Sequence, residues 1–329
     1  MLYAYRPKAR GLERVAVQGA SLADGDGAGG PVTVPADAIW IDLYRPLASQ
    51  VAAVAASGIE VPSLADMEEI EISNRLYHED GLDQMTVVLP GSAPDGAAGA
   101  GPVSFLLTPG RLVTVRHHAP RPFETYPERA DRGTAGCATP ERVFLGLAEE
   151  IVSRLADLLE GAGKVLDETA GRVFGGAAGR RPEVLQAVLE QVGRQGELLG
   201  RIRLAMLTME RALSFFGTAE RDGALKALVK GLMRDLQALA VHADFLSARI
   251  VLTVDATLGM INLAQNATVR IVSVVAALFL PPTLVASVYG MNFASMPELD
   301  EPWGYPMALG LMVASAVGTF LFFKWRHWL

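Results

Sequence analysis

Two stretches near the C-terminal end of this 329-residue chain contain no charged side chain, one from Ile271 to Pro297 and one from Pro302 to Phe323. Each can cover the roughly 20 residues that a helix needs to cross a bilayer. In hydrocarbon every backbone N–H and C=O must be paired within its own segment, so such runs commit the chain to helices. The charges just outside them set an orientation. Arg270 precedes the first run and Lys324 and Arg326 follow the second, while the short connector carries Glu298, Asp300 and Glu301 with no lysine or arginine. The positive-inside tendency predicts a transmembrane hairpin, with spans near 269–290 and 304–323, both termini cytoplasmic and the acidic connector outside. Trp303, Tyr305, Trp325 and Trp328 fall at interfacial depths. A buried hairpin in a soluble core would have no need of basic and aromatic anchors at its ends.

Before Asn266 the sequence reads as soluble protein with scattered charges. This uneven distribution explains a mean hydropathy of +0.27. A net charge of −7 argues against a nucleic-acid partner, which needs a basic face to displace counterions from phosphates. Cys137 is the single cysteine, so no internal disulfide forms and a reducing, cytosolic setting is expected for the soluble part. No apolar run follows the basic residues of MLYAYRPKAR, so no cleavable signal is expected.

Up to about residue 120, β-type runs (38–44, 84–90, 103–108 and 111–118) alternate with helical patches, LASQVAAVAASG and PSLADMEEIEISNRL. That alternation predicts an α/β domain over 1–138. The glycine-rich stretches 23–30 and 91–101 lack the spacing of a phosphate loop and read as hairpin loops. From Thr139 the pattern is helical, punctuated by Gly and Pro near 175–182 and 217–223. A third helical segment starts near Asp222 and shows no convincing break before the membrane. Continued to Tyr289 it would approach 100 Å at about 1.5 Å per residue, long enough for copies from several subunits to pack as a bundle. This gives a helical stalk over 139–265 and a membrane hairpin with a cytoplasmic tail over 266–329.

Heptad stepping from Asn266 gives a small or polar stripe: Asp255, Gly259, Asn262, Asn266, Val269, Ser273, Ala276, Leu280, Thr283 and Ser287. Ile271, Val274, Val275, Leu278, Phe279, Leu284 and Val285 lie elsewhere on the helix and suit lipid or neighbouring helices. Such a stripe either packs on another helix or lines a water path. Pro281-Pro282 removes two backbone donors in mid-span, which predicts a bend and carbonyls in need of protein or water. Asp255 is either a carboxylate at a cytoplasmic exit or a solvated stalk charge. The histidines, His78, His117, His118, His242 and His327, have no metal-ligand spacing. No nucleophilic or acid–base constellation appears, so an enzyme is not expected.

At the outer end of the first run lies YGMNFASMPEL, followed by WGYP, a second apolar run and a terminal KWRHWL. This arrangement resembles the CorA family of divalent-cation transporters, and WIDLYRP, EIEISNR and HEDGLDQMTVVLP resemble that family's cytoplasmic domain. The resemblance implies an α+β membrane protein, with an N-terminal cytoplasmic α/β funnel, a long stalk helix and two C-terminal transmembrane helices, assembled as a homopentamer. It implies a selectivity ring at Gly290, Met291 and Asn292, and an inner polar ring at Asn266. Thr283 and Ser287 would line the upper pore, with hydrophobic constrictions at Leu280, Val269 and Val272. The family commonly has bulkier Met or Leu at gating levels and Gly at the level of Ser287, two departures in this chain. Regulatory Mg2+ between subunits is also implied, with Asp66, Glu68 and Glu69 facing Asp235 or Asp244 of a neighbour.

Hydrated Mg2+ suits such a mouth on physical grounds. The ion dehydrates reluctantly, and amide and carbonyl oxygens accept hydrogen bonds from its waters without the grip of carboxylates. Glycine at 290 is expected to permit a turn that aims carbonyls at the axis. The acidic connector would concentrate cations. The resulting expectation is uptake of Mg2+, and of Co2+ or Ni2+, down the electrochemical gradient, gated by cytoplasmic Mg2+, in a bacterial inner membrane and without an organic cofactor. A zinc transporter of the same superfamily and a non-conducting, membrane-anchored sensor are the rivals.

Overall fold

Alternating side chains along Trp40–Tyr44 and Arg111–Arg116 send two different residue sets to the two faces of a sheet. The computed structural model describes residues 1–8, 11–17, 32–69, 71, 75–93, 96–175, 181–291, 297 and 302–326. Within them β1 (Leu2–Pro7), β2 (Leu12–Val15), β3 (Trp40–Tyr44), β4 (Leu76–Glu79), β5 (Leu82–Ser92), β6 (Ala98–Thr108) and β7 (Arg111–Arg116) form one sheet, ordered β2-β1-β3-β7-β6-β5-β4. Only the central β3–β7 pair is parallel. These two strands are buried on both sides, as parallel strands usually are.

One face of the sheet carries Ile41, Leu43, Leu106, Val113 and Val115. It packs against Val54 of α1 (Ala48–Ala55) and Met67 of α2 (Leu64–Glu68). The other face is aromatic. Trp40 meets Tyr126 of α3 (Pro122–Arg129) edge-on at 5.7 Å, and Phe105 meets Phe144 of α4 (Pro140–Phe174) at 5.3 Å. Phe144 in turn lies 5.0 Å from Phe216 of α5 (Pro182–Thr218). Each such pair contributes about 0.5–1.5 kcal/mol beyond its buried area. A charge is buried on this face as well. Asp42, 1% exposed, accepts from Arg116 Nη2 at 2.8 Å and Nε at 3.1 Å and from Thr114 Oγ1 at 2.8 Å, so its carboxylate is fully engaged.

The four expected strands are present, and three further ones join them. β4 is the first arm of a hairpin whose two-residue turn, Asp80-Gly81, has positive φ at both positions and pairs Glu79 with Leu82. The stretch 91–101 is less of a loop than expected, because Gly91 and Ser92 extend β5 and Ala98–Gly101 open β6. Residues 23–30 lie outside the described part. A long helix over PSLADMEEIEISNRL is not observed. α2 stops at Glu68, Glu69 leaves helical geometry at φ −54° and ψ 136°, and the Arg75 guanidinium takes the carbonyls of Glu68 and Glu69. Crowded carboxylates with a guanidinium on their C-terminal carbonyls favour a stop over another turn.

The remaining helices are α6 (Gly223–Tyr289, 67 residues) and α7 (Gly304–Trp325). α6 runs without interruption through Pro281-Pro282. The chain forms two compact units, Met1–Ala170 with Glu190–Leu252 and Gly171–Leu189 with Thr253–Leu329. The architecture is therefore an N-terminal α/β domain, a long helix and two C-terminal apolar helices.

Candidate functional site

The most apolar stretches of α6 and α7 reach a mean hydropathy of 2.2 and 1.9, and both are almost wholly exposed. Each helix shields one stripe only. On α6 the stripe contains Val274, Ala277, Leu278, Pro281, Pro282 and Val285; on α7 it contains Gly304, Met307, Ala308, Met312, Ser315 and Ala316. The spacing of three and four is that of a helix-packing seam. At about 100° per residue, the stripe from Asn266 to Ser287 falls on the side of α6 opposite its seam. All of its members, Asn266, Val269, Ser273, Ala276, Leu280, Thr283 and Ser287, are exposed, and so is Val272. One step closer to the N-terminus, Thr253 and Thr257 are buried while Asp255, on the other side of the helix, is exposed.

The polar groups of this exposed side differ in kind. Ser273 Oγ donates to the Val269 carbonyl at 2.8 Å and Thr283 Oγ1 to that of Phe279 at 2.7 Å, so these hydroxyls are satisfied within the helix. They are compatible with lipid, with a partner helix or with water. The side-chain amide of Asn266 makes no hydrogen bond with any described residue. An amide left so in hydrocarbon costs several kcal/mol, which favours water or another chain on that side.

At the end of α6, Gly290 N–H still donates to the Ala286 carbonyl at 2.9 Å, and Met291 N–H closes on Val288 at 3.4 Å. Gly290 does not adopt the positive φ that the turn argument supposed. Its requirement is one of space, since a Cβ there would lie 2.9 Å from the Ala286 oxygen. Asn292, Glu298, Asp300 and Glu301 lie outside the described residues.

The supposed regulatory carboxylates fall into two groups. Asp66 and Glu69 line a recess of about 480 Å³ that also takes in Glu60, Glu79 and Tyr77. Burial and the carboxylates of Glu79, Glu60 and Asp66 push the Tyr77 hydroxyl above its usual pKa. Asp66 also completes the capping box of α2, and hydrogen bonds from the Ser63 side chain and from Ser63 N–H, the latter at 2.8 Å, hold its pKa below the ordinary value. Glu68 is exposed but does not line the recess. Asp244 is paired with Arg203, whereas Asp235 is exposed and unpaired among the described residues. No three His, Cys, Asp or Glu of the described residues come close enough to chelate an ion within one chain. The recess can attract a hydrated cation, and tighter binding would need ligands from elsewhere.

Comparison with known proteins decides the family. The model of the CorA-like Mg2+ transporter protein matches residues 35–325. The magnesium transport protein CorA of Mannheimia succiniciproducens is 34% identical over 296 residues, covering 89% of this chain and 92% of the relative. The chain belongs to the CorA-like Mg2+ transporter family. The CorA of Yersinia pseudotuberculosis is 33% identical over 297 residues, covering 89% of this chain and 93% of the relative. The complete structure of the CorA magnesium transporter from Methanocaldococcus jannaschii superposes with a TM-score of 0.74 at 16% identity, covering 100% of this chain and 99% of that one. At that identity the likeness concerns the fold. CorA-like proteins are membrane transporters rather than enzymes, and the two apolar helices fit that membership.

Sequence reasoning missed Glu60 and Glu79 as members of the acidic recess. Glu79 is delivered by the β4–β5 hairpin, and the Asp80-Gly81 dipeptide was the available signal for it. Glu60 sits in an irregular segment with no such marker.

Proposed function

We propose that the chain assembles as a homopentamer in a bacterial inner membrane and conducts hydrated Mg2+ inward along the exposed side of α6. In this reading 1–138 is the cytoplasmic domain, 139–265 the stalk and 266–329 the membrane hairpin, with both termini cytoplasmic. Gly290, Met291 and Asn292 form the filter and Glu298, Asp300 and Glu301 gather cations outside it. Asn266 forms an inner ring, Leu280, Val269 and Val272 constrict the path, and Ser273, Ala276, Thr283, Ser287 and Asp255 line the rest. Co2+ and Ni2+ pass by the same route, and no organic cofactor takes part. Cytoplasmic Mg2+ closes the path by binding between Asp66, Glu68 or Glu69 and Asp235 or Asp244 of the partner subunit. Asp235 suits that role better, because Asp244 would first have to leave Arg203.

The observation that carries this reading is the 34% identity, over 89% of the chain, with a magnesium transport protein. The unpaired amide of Asn266 opposite the α6 seam supports the choice of conducting face. Growth on limiting Mg2+ of a bacterial strain stripped of its own uptake systems tests it. The chain restores growth and Asn292→Ala does not. Failure of the chain itself to restore growth would point to the non-conducting sensor, equal rescue by both would remove Asn292 from the filter, and rescue from zinc starvation alone would point to the zinc transporter.

A further inference from the structure

A cavity of about 680 Å³ opens between the end of the β5–β6 hairpin, the start of α3, and the flanks of α4 and α5. Its lining includes three guanidinium groups from three elements, Arg121, Arg154 and Arg201, with Leu158 and Leu198 beside them and Glu124 as the one carboxylate. The three are not equivalent. Arg201 is held in place, donating to the Ala98 carbonyl at 2.7 Å and pairing with Glu197. Arg121 and Arg154 make no hydrogen bond or ion pair through their side chains with any described residue. Both also line an adjoining recess of about 310 Å³ with Glu150 and Asp157, where Glu150 is engaged, accepting from Arg129 at 3.0 Å and from Thr125 Oγ1 at 2.6 Å.

Two arginines without an ion pair lining one recess are unusual in a chain of net charge −7. Nothing in the fold requires them there. Aromatic packing and the Asp42–Arg116 pair stabilise the neighbouring sheet face without them. The wall opposite is fixed by mutual backbone hydrogen bonds between Ser92 and Ala119, at 3.0 and 3.3 Å. The guanidinium fork matches phosphate oxygens in pairs and also stacks on flat rings. The cavity lies in the size range of small-molecule sites and far exceeds a single phosphate. Leu158 and Leu198 supply an apolar surface for the rest of such a ligand.

We propose that this cavity binds a nucleoside phosphate, with Arg121 and Arg154 on the phosphate, Arg201 positioned as a third donor and the base against Leu158 and Leu198. The site is separate from the acidic recess and from the α6 stripe, and it does not depend on the transport reading. Equilibrium dialysis of the full-length protein in detergent, with EDTA present and phosphate-free buffer, tests it using ADP and inorganic phosphate as probes. One ADP binds per chain, and inorganic phosphate binds at least about tenfold more weakly. Arg154→Gln and Arg121→Gln each weaken ADP about tenfold while circular dichroism is unchanged; Arg121 is exposed, so its variant folds even should the other not. Absence of saturable ADP binding, equal affinity for inorganic phosphate, or ADP affinity unmoved by Arg121→Gln would overturn the proposal.

Discussion

The α/β region and the membrane hairpin answer to different solvents. In the former, Trp40, Phe105, Phe144 and Phe216 are completely buried within one chain, and even Asp42 has all the partners it needs. In the latter, Val269, Val272 and Leu280 remain 62–67% exposed and Asn266 lacks a partner among the described residues. One region is explained by its own chain. The other leaves apolar and amide side chains without partners among the described residues, so on the proposed reading a given substitution should speak through stability in the first and through conduction in the second.

The largest effect that sharpens this contrast comes from Asp42→Ala. It strands the Arg116 guanidinium inside the aromatic face and costs about 3–5 kcal/mol, read as loss of the cooperative thermal transition of the α/β region. Phe144→Ala should cost a comparable 3–5 kcal/mol or so through the cavity it leaves. Leu280→Ala, a similar truncation on α6, should leave that transition unmoved and instead change the rate of Mg2+ flux. Should Leu280→Ala unfold the α/β region as Phe144→Ala does, the division fails.

A smaller effect is expected at Gly101. A Cβ there would lie 2.9 Å from His118 Nδ1, and because His118 is buried against the Leu89 carbonyl at 2.9 Å it cannot swing away. Gly101→Ala should cost about 1–3 kcal/mol in denaturant unfolding.

The smallest effect concerns pH. Burial, with the nearby Arg116 and His117 charges adding to it, holds His118 below its ordinary pKa of 6.5, although the Leu89 carbonyl opposes the shift. The native state keeps this imidazole neutral while the unfolded chain takes up a proton as pH falls through 6.5. Its contribution is therefore complete above 6.5 and is lost as pH drops toward the folded value. His118→Gln should flatten that part of the stability curve, and an unchanged slope would remove His118 from the account.

Much of this was legible in the sequence, for identifiable reasons. Strands β3 and β5–β7 announce themselves because each buries an apolar run, and the membrane helices because water cannot solvate them. β1 and β2 are short and mixed, and they owe their form to pairing with β3 and with each other. The α2 stop depends on Arg75 reaching back to Glu68 and Glu69, a contact no periodicity encodes. The α6 stripe followed from heptad spacing alone, and the structure adds that it lies opposite the helix's shielded seam. Gly290 was noticed for the wrong property, conformational freedom rather than lack of volume. The acidic recess and the arginine-lined cavity arise from distant segments and left no local pattern.

Metal flux into proteoliposomes loaded with a Mg2+ indicator is the most direct test of the central claim. Wild-type protein should carry Mg2+ in a saturable, voltage-driven manner that Zn2+ does not replace, and Asn292→Ala should abolish that flux with the melting transition of the α/β region intact. Saturable Zn2+ flux indifferent to Mg2+, or Mg2+ flux equal in the variant, would contradict it.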